Sequence, residues 1–383
     1  MENINKLPIL VVGDGIVAKL TTIMLLNQGI QVIFMKNNES RPLNKIFAIS
    51  PSSMCWFKKL GLPLNFIKSG NAINKIDIYY SDEEKQLRFD SDYIYEEALA
   101  YTVSEESLMN VLDTILNDLP CKPFKILERN KVTIENNESF IKITHKNKAI
   151  YTNICLWCDG NTSNLTGQFD DVRKENFFNQ HAITFNFYTK EQQRNCAKQF
   201  FFRDSIIALL PISTNEVSVV WSCDNELFNS IKTLSANKFI KEFSLRVNYD
   251  ISLITHIENR NFFPIKQTLA ENIFDRRILL IGDAAHTIHP MAGQGLNMGI
   301  RDIQSLEHLM QSTKYNDIGA RNFLRKYERS RRLDIAQFSK LIITLQWLFS
   351  SSDSTIQSLV RKSLNLVNRN YTLKNFFIRK ATT

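Results

Sequence analysis

The chain is short of the residues that break or tie a backbone. Twelve Gly and nine Pro in 383 residues leave little for long flexible linkers, and no low-complexity or repeated stretch interrupts it. Six cysteines, at 55, 121, 155, 158, 196 and 223, do not form a disulfide framework, which points to a reducing compartment. Cys155 and Cys158 make a CxxC, but within a run that reads as a strand, where residues three apart face opposite sides. No apolar run approaches the ~18 residues that a bilayer span needs. The apolar residues that begin at Leu7 reach a glycine turn by Gly13, too soon for a signal peptide. These absences predict a cytoplasmic protein, soluble or peripherally membrane-associated.

Acid is also scarce: 47 Lys and Arg face 39 Asp and Glu, for a net charge of +8. Residues 353–383 carry six of those cations against Asp353 alone, a net of +5. No nucleic-acid motif accompanies them, so nucleic acid is not an expected partner. A solvated helix face, an anionic membrane surface and an acidic partner protein all fit this tail.

What is present is ordinary globular material, 44% hydrophobic and 22% charged. Residues 8–12 (PILVV) read as a buried strand closed by Gly13-Asp14-Gly15, and 16–28 as a helix stopped by Gly29. Residues 30–35 (IQVIFM) give a second strand, so the order is one βαβ unit with parallel pairing. Strands near 150 and 280 are expected to join that sheet. Short strands within 72–99, the apolar–polar alternation over 181–221 and an extended 251–265 predict a second, antiparallel sheet from 72–99 and 181–265, with one wet face. Helices are expected near 50–60, 104–119, 234–246, 294–310, 317–349 and 355–381. The fold class is therefore α/β: a Rossmann-type dinucleotide-binding domain, an interleaved antiparallel-sheet substrate domain and a C-terminal helical region. The expected division gives the first domain 1–71, 100–170 and 266–315, the second 72–99 and 171–265, and the helices 316–383.

Three motifs carry chemistry. In GDGIVA, Gly13 allows a tight turn and Gly15 a close approach of pyrophosphate. Ile16 opens the helix whose free amides face the phosphates, and Ala18 allows close helix–strand packing. The acid expected at the end of the second strand, to accept from a ribose, is replaced by Lys36, which only donates. The second motif is the turn Asp159-Gly160 after a strand. The third, GDAAHTIHPMAGQGLN, ends a strand at Gly282-Asp283, where the acid can accept from the ribityl hydroxyls of a flavin. Pro290 then leads to Gly293, Gln294, Gly295, Leu296 and Asn297, a turn that leaves room for a flat ring at a helix N-terminus. His286 and His289 form an HxxH without further ligands at fitting spacing, so no metal is expected.

Taken in order, GxGxxA, DG and GDAAH-x-x-HP-x-AGQG-x-N resemble the flavin monooxygenases of the para-hydroxybenzoate hydroxylase type. Within them the chain is similar to the ubiquinone-biosynthesis hydroxylases. KIFAIS (45–50), ALAYTVSEESL (98–108), QHAITF (180–185), AKQFFFRDSIIALLPI (197–212) and YERSRRLD (327–334) extend the likeness over nearly the whole chain. The resemblance implies FAD, transient NAD(P)H or a reductase as electron donor, and dioxygen reacting through a flavin hydroperoxide. It implies a prenylated phenol as substrate, and a membrane surface or other ubiquinone-biosynthesis proteins as partners. The chemistry would be carried by the flavin, with no assigned catalytic side chain. Against the family pattern, Lys36 stands for an acid, Lys45 for Arg, Glu106 for Arg or Gln beside the flavin, and Ser205-Ile206 for Gly-Pro. Lys36 and Glu106 leave a second expectation open, a non-catalytic relative with weakened FAD binding that serves as a scaffold. Lys36 at the place of the ribose acceptor also predicts that Lys36→Glu tightens FAD by roughly tenfold.

Overall fold

A computed structural model describes residues 7–36, 43–63, 72–81, 85–160, 173–192, 195–289, 293–312 and 317–382. Its first sheet is built on the strand Ile9–Val12, every residue of which is buried. That strand pairs in parallel with Val32–Lys36 on one side and Cys155–Trp157 on the other. Lys125–Glu128 extends the sheet past Val32–Lys36, and Ile278–Leu280 extends it past Cys155–Trp157, both in parallel. A short antiparallel edge, Phe274–Asp275, completes six strands. The helix Ile16–Asn27 is buried along ten of its twelve residues, which explains its apolar, weakly patterned sequence. Because all the central strands run the same way, the chain leaves them at one common edge. That edge is where an open α/β sheet binds ligands.

The second sheet has eight strands, in the order His286–Thr287, Ile254–Ala270, Arg173–Thr189, Glu216–Asp224, Ser205–Pro211, Cys196–Phe201, Lys75–Tyr80 and Leu87–Asp90. It is antiparallel except where Cys196–Phe201 meets Lys75–Tyr80 in parallel, a departure from the fully antiparallel expectation. That pair is joined by a long excursion of chain, which frees it from hairpin geometry. Ile254–Ala270 is one continuous strand, so the division expected at 265/266 falls inside it. One face of this sheet packs against the helix Ala236–Arg246 through Phe185, Phe187, Trp221, Phe239 and Phe243.

The C-terminal helices are Arg321–Ser350, Ser354–Arg369 and Tyr371–Thr382, with Asn370 breaking the run read as 355–381. Ile335, Ile342 and Phe349 of the first join Tyr80, Phe201 and Val360 in a shared core. Phe338, Leu345 and Leu348 pack against that core, while Leu341, Ile343 and Trp347 of the same helix are exposed. No helix among the described residues is long and apolar enough to cross a membrane.

Candidate FAD and substrate site

The edge of the parallel sheet is closed by turns that only small residues can make. Gly13 has φ +128°, and a Cβ there would lie 3.2 Å from the backbone nitrogen of Asp159. The GDG and DG turns are thus packed onto each other, with Ala18 buried beneath them. Gly15 begins the helix Ile16–Asn27 in extended conformation, and no side chain caps it. The first amides of that helix remain available to an anion, and the space above Gly15 is open. Gly160 fits against Asp283, where a Cβ would meet that side chain at 3.0 Å.

The third motif is held from behind. The backbone N–H of Gly282, at φ +65°, donates to Asp302 Oδ2 at 2.8 Å. The same carboxylate is paired with His286 Nε2 at 2.8 Å and receives Arg331 Nε at 2.7 Å. Burial alone would raise the Asp302 carboxyl, but His286, Arg331 and the Gly282 amide bring it down to about 2. This network fixes Gly282 and leaves Asp283 exposed to the cleft in front. Gly299, one turn into the helix Gly295–Ser312, meets Val17, which also abuts Gly282; a Cβ at 299 would lie 2.9 Å from Val17 Cγ2. Asp302, Arg331 and Gly299 are not legible as site residues in the sequence. A small residue four positions after Gly295 is the one hint it offers.

A single cleft of about 2300 Å³ brings most of the expected residues together. Gly15, Ile16, Lys45, Asp159, Gly160, Asp283, Gly293, Gln294, Gly295 and Leu296 line it. Gly13, Ala18 and Gly282 shape it from beneath. Pro290 lies outside the described residues. Three expectations differ. Asn297 is buried and its side chain is turned to the protein: Oδ1 accepts from Ser50 N and Ser53 Oγ, and Nδ2 donates to Ala48 O. One turn of helix carries it to the packed face, so it positions the strand Ile46–Ile49 instead of facing a ligand. Glu106 is exposed on the first turn of the helix Glu105–Asp118 and does not line the cleft; its buried neighbour Glu105 does. Lys36 does not line the cleft either, and its ammonium lies 5.6 Å from the centre of the Phe34 ring. Ser205 donates to Asp204, and neither it nor Ile206 reaches the cleft. His289 pairs with Gln180 at 3.0 Å, as His286 pairs with Asp302.

Past the turns, the cleft continues over Thr184, Asn186, Ser218 and Val220 of the large sheet. It ends against Ile342, Leu345 and Phe349 and, further out, Phe376 and Phe377. The polar end fits FAD: an uncapped helix N-terminus for the pyrophosphate, and an exposed acid for the ribityl hydroxyls. Asp283→Ala should weaken FAD by about 1.5–3 kcal/mol, the value of a hydrogen bond to a charged group. Quenching of flavin fluorescence measures it, and unchanged affinity would remove Asp283 from the site.

Comparison with known proteins agrees with this geometry. The family described as FAD binding domain matches residues 6–340. The ubiquinone hydroxylase UbiL of Rhodospirillum rubrum is 24% identical, over 97% of this chain and 89% of its own. The human mitochondrial ubiquinone biosynthesis monooxygenase COQ6 is 24% identical, over 90% of this chain and 83% of its own. In fold, p-nitrophenol 4-monooxygenase PnpA from Pseudomonas putida DLL-E4 superposes with a TM-score of 0.78 at 16% identity, covering 97% of this chain and 96% of that one. With the GxGxxA turn and the Asp283 loop meeting on one cleft and the family match spanning residues 6–340, the chain belongs to the FAD-binding-domain family of FAD-dependent aromatic hydroxylases.

Proposed function

We propose that this chain hydroxylates the aromatic ring of a prenylated phenol in ubiquinone biosynthesis, with bound FAD, dioxygen and electrons from NAD(P)H or a separate reductase. The observation that carries the reading is the continuity of the cleft from the dinucleotide turns, across a sheet wall of mixed polarity, to the apolar wall that Ile342, Leu345 and Phe349 of the C-terminal helices present. A ring placed against the Gly293–Gly295 turn would leave its tail along Ile342, Leu345 and Phe349. Asp283 would anchor the ribityl chain. The helix N-terminus at Gly295 would point its dipole at the flavin ring and favour the reduced, negatively charged form. The apolar walls would exclude water from the reacting ring. Bound flavin would supply the oxygen-activating chemistry. Quinone-precursor profiling in a cell lacking this protein tests the proposal: an un-hydroxylated prenylated phenol should accumulate, and an unchanged profile would sink it. The scaffold reading loses Glu106 as support, because that side chain faces away from the cleft. Flavin absorbance of the purified protein separates the two.

The same reading places the protein at a membrane surface. Lys362, Arg369, Arg379 and Lys380 are exposed on the last two helices, beside exposed Leu359, Leu366, Phe376 and Phe377. Lys374 is buried 4.9 Å from the Tyr93 ring centre, so it is withdrawn from that surface. Phe376, Phe377 and Lys380 also line the cleft, which brings it up to the basic face. Substituting Gln for both Arg379 and Lys380 should cost about 2 kcal/mol of binding to anionic vesicles, at ~1 kcal/mol per cation. Co-sedimentation at low and high salt reads it. Binding that is equal to the unaltered chain, or indifferent to salt, would take the tail out of the mechanism.

A further inference from the structure

The adenosine end of the cleft has an acid that the family pattern does not supply. Asp14 stands between Gly13 and Gly15, directly after the strand Ile9–Val12. The neighbouring strand ends at Lys36, and the two ends are tied by Gly13 N–H donating to Met35 O at 3.0 Å. Asp14 thus lies at the carboxyl ends of the first two strands, where a Rossmann sheet reads the ribose of a dinucleotide. It lines the cleft next to Gly15 and Ile16. Its side chain is 38% exposed, and of its two oxygens Oδ1 is the covered one, facing Lys19 without a hydrogen bond among the described residues. Nor is it spent on the helix, since Ile16–Asn27 has no side-chain cap.

Two cations accompany it. Lys19, 3% exposed, is directed back under the turn, with Nζ 3.8 Å from Asp14 Oδ1 and 2.7 Å from Asp113 Oδ1. Lys36 acts on Asp14 from the second strand. Burial raises the Asp14 carboxyl, while Lys19 and Lys36 oppose that rise and Asp113 adds to it. Two ammoniums against two carboxylates leave the group formally neutral, so an acid here need not repel a nearby pyrophosphate.

We propose that Asp14 is the ribose-hydroxyl acceptor for FAD in this protein, moved from the end of the second strand to the first glycine turn, with Lys19 and Lys36 as positioning residues. The proposal rests on the FAD reading above. It reverses one sequence expectation: Lys36 supports the adenosine site, and Lys36→Glu would place a like charge beside Asp14.

FAD and FMN titrations of the apo protein, followed by flavin fluorescence, test this, because FMN shares the flavin and lacks the adenosine. Asp14→Ala should weaken FAD by about ten- to a hundredfold and leave FMN unchanged. Asp14→Asn, which keeps a carbonyl acceptor, should recover part of the loss. Lys36→Glu should weaken FAD selectively, without loss of FMN. The proposal is overturned if Asp14→Ala leaves FAD affinity unchanged or tightens it, if FAD and FMN fall together, or if Lys36→Glu tightens FAD. An unaltered chain that binds neither flavin would remove the FAD reading itself, and this assignment with it. Unaltered FAD binding with an indifferent Asp14→Ala removes this assignment alone.

Discussion

Replacing Asp302 with alanine should lower the unfolding free energy by about 3–5 kcal/mol, the usual cost of removing one partner from a buried ion pair. Asp302 and Arg331 are 1% and 4% exposed, and the guanidinium would stay buried with Asp334 as its remaining carboxylate at 2.7 Å. The Gly282 amide would lose its acceptor as well. Urea denaturation measures the loss, and a change below about 1 kcal/mol would show that solvent or rearrangement satisfies the site. Replacing Arg331 with Met together with Asp302→Ala should recover much of the stability, since the uncompensated charge goes with it. Asp283 follows Gly282 directly, so flavin affinity should fall with Asp302→Ala even under conditions where the protein remains folded. The pH dependence has a definite sign. The Asp302 carboxyl is depressed from 3.8 to about 2 in the folded chain. Its contribution is therefore complete above 3.8 and is lost as pH falls from there through about 2.

A second acid effect should begin at much milder pH. His289 is 2% exposed, and burial lowers its pKa from 6.5 to about 4. The folded chain therefore refuses a proton that the unfolded chain accepts. Stability from this residue is complete above 6.5 and declines as pH falls through the window from 6.5 to about 4. The loss should amount to about 3 kcal/mol, at 1.36 kcal/mol for each pKa unit. His289 Nε2 and Gln346 Nε2 share Gln180 Oε1, joining the large sheet to the long C-terminal helix just before the Gly293 turn. His289→Phe removes the titrating group, and Gln180 keeps the Gln346 donor. Its stability should be flat across that window when both proteins are unfolded in urea at a series of pH values. Parallel curves for the two would assign the acid sensitivity elsewhere.

Much of the lining of the cleft's polar end is legible in the sequence because its residues are bound to local backbone geometry. A tight turn at Gly13, a helix opened at Gly15 and a strand closed by Gly282-Asp283 are demands that the chain meets within a few residues of itself. Periodicity likewise locates the buried strands Ile9–Val12 and Ile278–Leu280 and the helix Glu105–Asp118, whose burial pattern is local. One position matters at Glu105 and Glu106, where neighbouring acids lie on different faces of one helical turn. Which of them turns inward depends on how that helix packs, and a motif written in residue types does not carry that information.

Other features depend on partners far away in the chain. Asp302 reads as an ordinary helical acid until Arg331, 29 residues on, and His286 close around it. Asn297 sits inside the recognisable motif, yet its hydrogen bonds go to Ser50, Ser53 and Ala48, about 250 residues earlier. Lys36 reads as a defect when the second strand is taken alone; beside Asp14 and Lys19 it belongs to a balanced group. By itself the sequence determined the dinucleotide turns, the class of the fold and the family, since each is written in short-range backbone requirements. The tertiary structure decided which polar side chains are left for a ligand and which are consumed in packing, because a buried polar group is satisfied by whatever lies next to it in space.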